Sequence, residues 1–165
     1  MLVGIIADTH DNLKMVDKAV GKLNERNVEL VLHGGDYVAP FVIPRFKKLK
    51  GRLIGVFGNN DGDHELLKKR FKESDSLEMR ENFAEIIVNG LKIALLHGNE
   101  EELLNALVNS ECFDIVVHGH THRAEVCRKG RTLVVNPGEV CGYLSGKSTI
   151  ALLDTSTLKV EIIPL

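Results

Sequence analysis

The stretch LVGIIADTH (residues 2–10) decides the fold, because an apolar run of strand length ends in polar side chains. The run is interrupted by Asp8, and His10 follows two positions later. A short continuous apolar segment bounded in this way is typical of a strand buried inside a sheet. Asp8 and His10 are therefore expected directly beyond the carboxyl end of that strand.

The same pattern, an apolar run followed by polar residues, recurs along the chain. Further buried strands are predicted at residues 30–33, 53–57, 93–97 and 115–118. The polar segments that end them are HGGD at 33–36, GNND at 58–61, HG at 97–98 and GHTH at 119–122. Ligands bind outside the carboxyl ends of the strands in an open α/β sheet, so we expect these side chains to meet along one edge.

Four amphipathic helices are predicted between these strands, which favours a mostly parallel sheet. The first helix follows an N-cap at Asn12, and the fourth carries acidic residues in its first turn. The second helix is predicted at about residues 40–50, the third at about residues 64–73 and the fourth at residues 100–109.

Two regions break the alternation of strands and helices. Asn89-Gly90 predicts a tight turn between strands at 83–88 and 91–96. Four strands then follow without helices, at 124–128, 132–135, 149–154 and 158–163. A second, more antiparallel sheet is the simplest interpretation, with the two sheets face to face and the helices outside. The chain has no Pro/Ser-rich linker and no internal repeat, so residues 1–165 are predicted to form one domain.

The composition is that of an ordinary globular protein, with 44% hydrophobic and 27% charged residues. The formal charge of -2 provides no global attraction to nucleic acid or to an anionic membrane. No apolar run approaches the length of a membrane span, and no basic and apolar leader is recognisable. Three cysteines without a CxxC pair suit a reducing compartment, so we expect a cytoplasmic protein.

The residues at the strand ends favour a metal site. Four imidazoles, two carboxylates and one carboxamide are present, and this set favours manganese, iron, nickel, cobalt or zinc over magnesium or calcium. Seven groups exceed one tetrahedral site and suit two ions that share a carboxylate, a common arrangement for phosphoryl chemistry. The candidate ligands are Asp8, His10, Asp36, Asn59, His97, His120 and His122. The alternative is an α/β domain whose histidines are incidental.

The three remaining histidines are predicted to have no role at a metal. His33 and His118 lie on apolar strands, where we expect them to be packed or hydrogen-bonded. His64 begins a polar helix and is expected to be exposed.

At these motifs the sequence resembles the calcineurin-like metallophosphoesterases, whose pattern is DxH, GDxx, GNHD, a lone histidine and GHxH. The blocks span residues 8 to 122 in the family's order, and Asn136-Pro137-Gly138 looks like a turn of the small bacterial and archaeal phosphodiesterases. The resemblance implies an α/β fold, a four-layer α/β/β/α sandwich of two mixed sheets flanked by helices. It also implies a dinuclear phosphoesterase, and a phosphodiesterase in particular.

The resemblance also implies roles for individual residues. It puts Asp8, His10 and His122 on one ion, and Asn59, His97 and His120 on the other. Asp36 would bridge the two ions, for which Mn²⁺ or Ni²⁺ is favoured, with Fe, Co and Zn as the other options. A hydroxide between the ions would then attack the phosphorus of a small phosphate ester.

The chain departs from the family pattern at Asn60, where GNHD has a histidine. Asparagine can donate a hydrogen bond to phosphate but cannot deliver a proton at neutral pH. A slower enzyme that favours esters with good leaving groups is therefore expected. Asp61 is expected to support the site by orienting its own loop through local hydrogen bonds.

The main alternative function is a non-catalytic scaffold, because the same fold resembles a retromer trafficking subunit. An intact set of seven ligands favours the enzyme, since a scaffold has no need to keep them. The metallo-β-lactamase-like hydrolases are disfavoured because their HxHxDH signature is absent. Cyclic nucleotides, nucleic-acid ends, phosphoproteins and small diesters all stay open as substrates, as does a homo-oligomeric state.

Overall fold

The computed structural model describes residues 1–165 and contains two β-sheets packed face to face, with helices on the outer sides. The first half of the chain forms β1 (Leu2–Ile6), α1 (Leu13–Glu25), β2 (Leu30–His33), α2 (Ile43–Phe46), β3 (Arg52–Gly55), α3 (His64–Phe71) and β4 (Leu77–Met79). The second half forms β5 (Phe83–Val88), β6 (Leu91–Leu96), α4 (Glu101–Asn109), β7 (Ile115–Val117), β8 (Ala124–Lys129), β9 (Thr132–Pro137), β10 (Thr149–Asp154) and β11 (Lys159–Pro164).

Both sheets are mixed. The first has the order β11-β10-β1-β2-β3-β4, in which β1 to β4 are parallel, β10 is antiparallel to β1, and β11 is antiparallel to β10. The second has the order β5-β6-β7-β9-β8, in which β6, β7 and β9 are parallel and each edge strand is antiparallel. The predicted α/β/β/α sandwich of two mixed sheets is confirmed.

Three apolar clusters define the layers. The largest packs α1, α2 and α3 on the first sheet, around side chains such as Val16, Phe46 and Phe71. A second lies between the sheets, where Ile5 and Leu32 of the first sheet meet Leu95 and Val117 of the second. The third packs α4 on the outer face of the second sheet. The sheets therefore share one core, and their strand ends are held together at its margin.

The predicted membership of the second sheet is wrong for the last two strands. Residues 149–154 and 158–163 were expected beside residues 124–135, but β10 pairs with β1 and β11 pairs with β10. The reason is that β1 is buried and its free edge would leave backbone N–H and C=O groups without partners. Hydrophobic periodicity predicts that a segment is a strand, but it does not predict which edge the strand joins.

The second predicted helix, at about residues 40–50, is shorter in the structure. A 3-10 turn at Pro40–Val42 leads into α2, which ends at Phe46. Beyond it, Lys48 and Leu49 donate their backbone N–H groups to the carbonyls three residues earlier, so the chain tightens into a turn. Strand β4 was not predicted, because three residues are too few to show a periodic pattern. None of the helices combines the length and the apolar character that a membrane crossing requires.

Shortening Leu95 to alanine tests the core between the sheets. Leu95 is fully buried there, so Leu95→Ala should lower the free energy of unfolding of the metal-free protein by about 2–5 kcal/mol. The matched control is Ile87→Ala on β5, because that side chain is 71% exposed and its loss should change stability by less than about 0.5 kcal/mol. Urea denaturation in chelator measures both, and equal effects would contradict the sandwich packing.

Candidate metal centre

The strands bring all seven predicted ligands into one connected cluster. Ligand atoms of Asp8, His10, Asp36 and His122 all lie within 4.8 Å of one another. His97 Nε2 lies 3.4 Å from an Asp36 oxygen and 3.0 Å from Asn59 Oδ1, and the His97 and His120 rings are 5.1 Å apart. These residues follow β1, β2, β3, β6 and β7, so both sheets contribute to the site.

The backbone is strained where it presents these side chains. Left-handed φ angles occur at Asp8 (52°), His10 (39°), Asp36 (61°), His120 (67°) and His122 (60°). Each such residue costs on the order of 1–3 kcal/mol, so the surrounding structure must hold it in place. Backbone hydrogen bonds join the turn after β1 to the turn after β2: the N–H of Asp8 donates to the carbonyl of Gly35, and that of His10 donates to the carbonyl of Asp36.

Two glycines allow the ligand loops to approach closely. A Cβ on Gly58 would overlap the Asp36 carboxylate, and a Cβ on Gly119 would come within 2.8 Å of Asp8 Oδ2. No other residue fits either position without displacing a carboxylate.

Asp36 occupies the middle of the cluster. Its Oδ1 accepts the backbone N–H of Asn60 at 2.8 Å, and its Oδ2 accepts the Asn60 side-chain amide at 2.7 Å. Oδ2 also lies 3.3 Å from His10 Nε2 and 3.4 Å from His97 Nε2. Burial alone would raise the pKa of Asp36, but hydrogen bonds from His97 and Asn60 and the charge of His97 outweigh it and hold the pKa below its usual range. An anionic oxygen therefore faces two histidines.

Asp8 has one satisfied and one unsatisfied oxygen. Oδ2 accepts the backbone N–H of His120 at 3.1 Å, whereas Oδ1 is buried without a hydrogen-bond partner, as is His10 Nε2. Burial raises the pKa of Asp8 to about 7, against the opposing charges of His97 and His122. The two orphaned atoms are 4.0 Å apart. A divalent cation held by Asp8, His10, Asp36 and His122 would satisfy both, so this donor set fits a metal ion.

His97 contacts both Asp36 and the carboxamide of Asn59. Its Nδ1 lies 2.7 Å from the carbonyl oxygen of Gly34, which can only accept, so Nδ1 carries the proton. Nε2 then faces the oxygens of Asn59 and Asp36. Burial lowers the pKa of His97, but the hydrogen bond and charge of Asp36 outweigh it and raise the pKa. A lone pair on Nε2 would be repelled by the oxygens of Asn59 and Asp36, so a proton or a metal ion must lie between Nε2 and these oxygens.

Asn60 and Asp61, the two residues predicted to support the site, both contact Asp36. Asp61 accepts backbone N–H groups from Gly58 (2.7 Å), Val38 (2.8 Å) and Asp36 (3.2 Å), so it ties the ligand loops together. The Asn60 amide points at the Asp36 carboxylate instead of away from the site.

The other histidines have the structural roles predicted for them. His33 is fully buried, stacks on Tyr37 at 3.9 Å and accepts the N–H of Gly35; burial lowers its pKa to about 3. His118 is buried with Nδ1 3.1 Å from the carbonyl of Gly119. His64 is exposed.

Two buried residues at the site were not predicted. Glu139 lies 2.7 Å from His122 Nδ1 through its Oε2. Asn136 donates its amide to the Gly119 carbonyl (2.8 Å) and to Thr121 Oγ1 (3.0 Å) and so orients the loop that carries His120. Glu139 directly follows Asn136-Pro137-Gly138 at the end of a buried strand, so the strand-end pattern that identified the ligands also applied to it.

Two cavities border the cluster. One of about 450 Å³ is lined by His120 and Thr121, among other residues, and one of about 220 Å³ is lined by Asn59 and His97. Gly98 and Asn99 contribute to both, so the two cavities lie on either side of that turn.

Comparison with known proteins gives consistent matches across the chain. A phosphodiesterase of Methanocaldococcus jannaschii is 40% identical over 155 residues, covering 94% of this chain and 93% of that protein. A solved structure of an archaeal phosphodiesterase is 39% identical and covers both chains completely, with a TM-score of 0.96. The Zn²⁺ complex of Vps29 from Entamoeba histolytica has a TM-score of 0.69 over 99% of both chains, but at 22% identity it shows the fold alone.

The family comparison covers nearly the whole chain. The calcineurin-like phosphoesterase superfamily domain matches residues 1–158, which include every predicted ligand and Glu139. With that match and a 40% identical relative, the chain belongs to the calcineurin-like phosphoesterase superfamily.

Proposed function

We propose that residues 1–165 form one dinuclear, metal-dependent phosphodiesterase domain. The observations that support the proposal are the buried Asp8 and His10 atoms without hydrogen-bond partners and the His97 Nε2 atom that faces oxygens of Asp36 and Asn59. Asp8, His10 and His122 would hold one ion, and Asn59, His97 and His120 the other. Mn²⁺ and Ni²⁺ are the proposed metals.

Two bound cations would supply Lewis acidity that activates water for in-line attack on phosphorus and neutralises the charge on the phosphoryl oxygens. The protein's own residues set the geometry. Asp36 stays anionic because the hydrogen bond and charge of His97, together with hydrogen bonds from Asn60 to both of its oxygens, hold its pKa below the usual range. Asp61 fixes the turns that carry Asp36 and Asn59 through three backbone N–H groups. No protein side chain is needed as the nucleophile.

The two cavities favour a diester over a monoester. A diester carries one group on each side of its phosphorus, whereas a monoester carries only one. The larger cavity borders His120 and the smaller borders Asn59 and His97, and all three are proposed ligands of the same ion. A phosphorus bound over that ion therefore has room for a substituent on each side of the turn at Gly98-Asn99.

The scaffold alternative is less supported. It is based on a likeness of fold to Vps29, whereas the phosphodiesterase relative is 40% identical along nearly the whole chain. The intact ligand cluster also has no purpose in a scaffold. A small phosphate ester as substrate, a cytoplasmic location suited to three free thiols and a homo-oligomeric state are further parts of the proposal.

Removal of the metal tests the enzyme against the scaffold. We expect chelation to abolish hydrolysis of an aryl phosphodiester, and added Mn²⁺ or Ni²⁺ to restore more activity than Mg²⁺, because four of the seven donors are imidazoles. Hydrolysis is followed by release of the phenol with each metal added separately. Hydrolysis that continues after chelation would contradict the proposed mechanism. So would a failure of every added metal to restore hydrolysis.

Asp36→Asn tests the shared carboxylate. The substitution keeps the shape but removes the charge that faces His10 and His97, so turnover should fall to the level of the sample without enzyme while the circular dichroism spectrum is unchanged. The matched control is Asp17→Asn, which removes a carboxylate paired with Arg45 and Lys48 on the surface and should leave turnover unaffected. Full activity of the Asp36→Asn variant would contradict the assignment of Asp36 as the carboxylate shared by two ions.

Asn60→His tests whether the missing proton donor limits the range of substrates. Histidine can protonate a leaving group and asparagine cannot, so the rate on an alkyl diester relative to that on a p-nitrophenyl diester should rise by about tenfold or more. Asn60→Ala is the control, because it also removes the hydrogen bond to Asp36 but adds no acid, and its ratio should match the parent's. An unchanged ratio in Asn60→His would refute the proposed limitation.

A further inference from the structure

Glu139 is a fully buried carboxylate, and both of its oxygens accept several hydrogen bonds. It lies just after β9, and its Oε2 is 2.7 Å from Nδ1 of His122. The same oxygen accepts the thiol of Cys141 at 3.0 Å and the N–H of Tyr143 at 3.1 Å. Oε1 accepts the N–H of Leu144 at 3.0 Å and both the N–H and the hydroxyl of Ser145. The backbone N–H groups can only donate, and the Cys141 thiol and the Ser145 hydroxyl donate here as well. The imidazole is the one partner whose role as donor or acceptor depends on its tautomer.

The contact with Glu139 fixes the tautomer of His122. A carboxylate already surrounded by donors is an acceptor, so the proton of the neutral imidazole lies on Nδ1. The lone pair is then on Nε2, which lies 3.6 Å from Asp8 Oδ1. Because Asp8 Oδ1 has no hydrogen-bond partner, the bare nitrogen and the unsatisfied oxygen face the same cation position.

Glu139 also ties this histidine to the rim of the site. The segment after Glu139 is hydrogen-bonded to the end of β1: the N–H of Val140 donates to the carbonyl of Ala7, and that of Cys141 to the carbonyl of Asp8. Beyond it the chain carries Tyr143 and Leu144, which are 63% and 76% exposed. The Glu139 carboxylate therefore connects His122 to an exposed loop, and the backbone that follows Glu139 is held to the segment that carries Asp8.

We propose that Glu139 is a positioning residue for the metal centre, which holds His122 with Nδ1 protonated so that Nε2 binds the ion shared with Asp8 and His10. This inference rests on the proposed function. A carboxylate that orients a metal-binding histidine typically accounts for about 10–100-fold in metal affinity. The loop contacts alone would not have this effect, because they do not reach the imidazole.

The first test needs no variant. In the metal-free parent, two-bond ¹H–¹⁵N correlation spectra report which nitrogen of each histidine carries the proton. We expect Nδ1 of His122 to be protonated. A His122 protonated on Nε2 alone would overturn the proposal.

The second test is Glu139→Gln, measured by Mn²⁺ titration calorimetry. Glutamine has one accepting oxygen and one donating NH₂ group, whereas both oxygens of Glu139 accept. If the glutamine oxygen accepts from the Leu144 and Ser145 N–H groups, its NH₂ faces His122 Nδ1 and disfavours a proton there. One of the two Mn²⁺ affinities should fall by about 10–100-fold and the other should change little. Glu161→Gln is the matched control, because its carboxylate pairs with Arg26 on the surface and should not influence either affinity.

A third variant separates loop anchoring from histidine positioning. Ser145→Ala removes the hydroxyl that donates to Oε1 of Glu139 and that also hydrogen-bonds to the backbone of Lys147, so it should lower the Tm of the metal-free protein and leave both Mn²⁺ affinities unchanged. If Glu139→Gln behaves like Ser145→Ala, Glu139 only anchors the loop and the proposal fails. A parent that binds no Mn²⁺ would instead overturn the proposed function, and this inference with it.

Discussion

Two carboxylates buried within a few ångströms of each other constrain everything else at this site. Asp8 and Asp36 are both inaccessible to solvent, and a buried anion is tolerated only with protons, hydrogen bonds or cations around it. Asp36 is supplied with hydrogen bonds from Asn60, whereas Asp8 keeps one oxygen without any. The imidazoles of His10, His97 and His122 surround the pair. A cation between Asp8, His10, Asp36 and His122 would satisfy the atoms that have no hydrogen-bond partner.

The fold meets this constraint by joining two sheets at one margin. β1 and β2 of the first sheet deliver Asp8 and Asp36, and the turns after β6 and β7 of the second deliver histidines. The apolar core between the sheets fixes the distance between these turns. Five of the proposed ligands have left-handed backbone angles, so the packing of both sheets maintains a local geometry that the isolated loops would not adopt.

Most of the fold and of the ligand cluster follow from local sequence signals. The hairpin at Asn89-Gly90 and the N-cap at Asn12 are encoded within a few residues, and each proposed ligand lies in a polar segment that ends an apolar run. What could not be predicted depends on contacts that are distant in the chain. The pairing of β10 with β1 joins the two ends of the sequence, and the contact of Glu139 with His122 spans 17 residues. The early end of α2 depends on a turn with no clear signal in its composition.

The central claim is that the seven side chains hold two cations on either side of Asp36. A crystal structure of the protein with Mn²⁺, with anomalous diffraction recorded at the manganese edge, tests it most directly. The account predicts two anomalous peaks about 3.5–4 Å apart, one beside His10 and His122 and the other beside His97 and Asn59, with an Asp36 oxygen between them. A single peak, or ions bound away from Asp36, would contradict it.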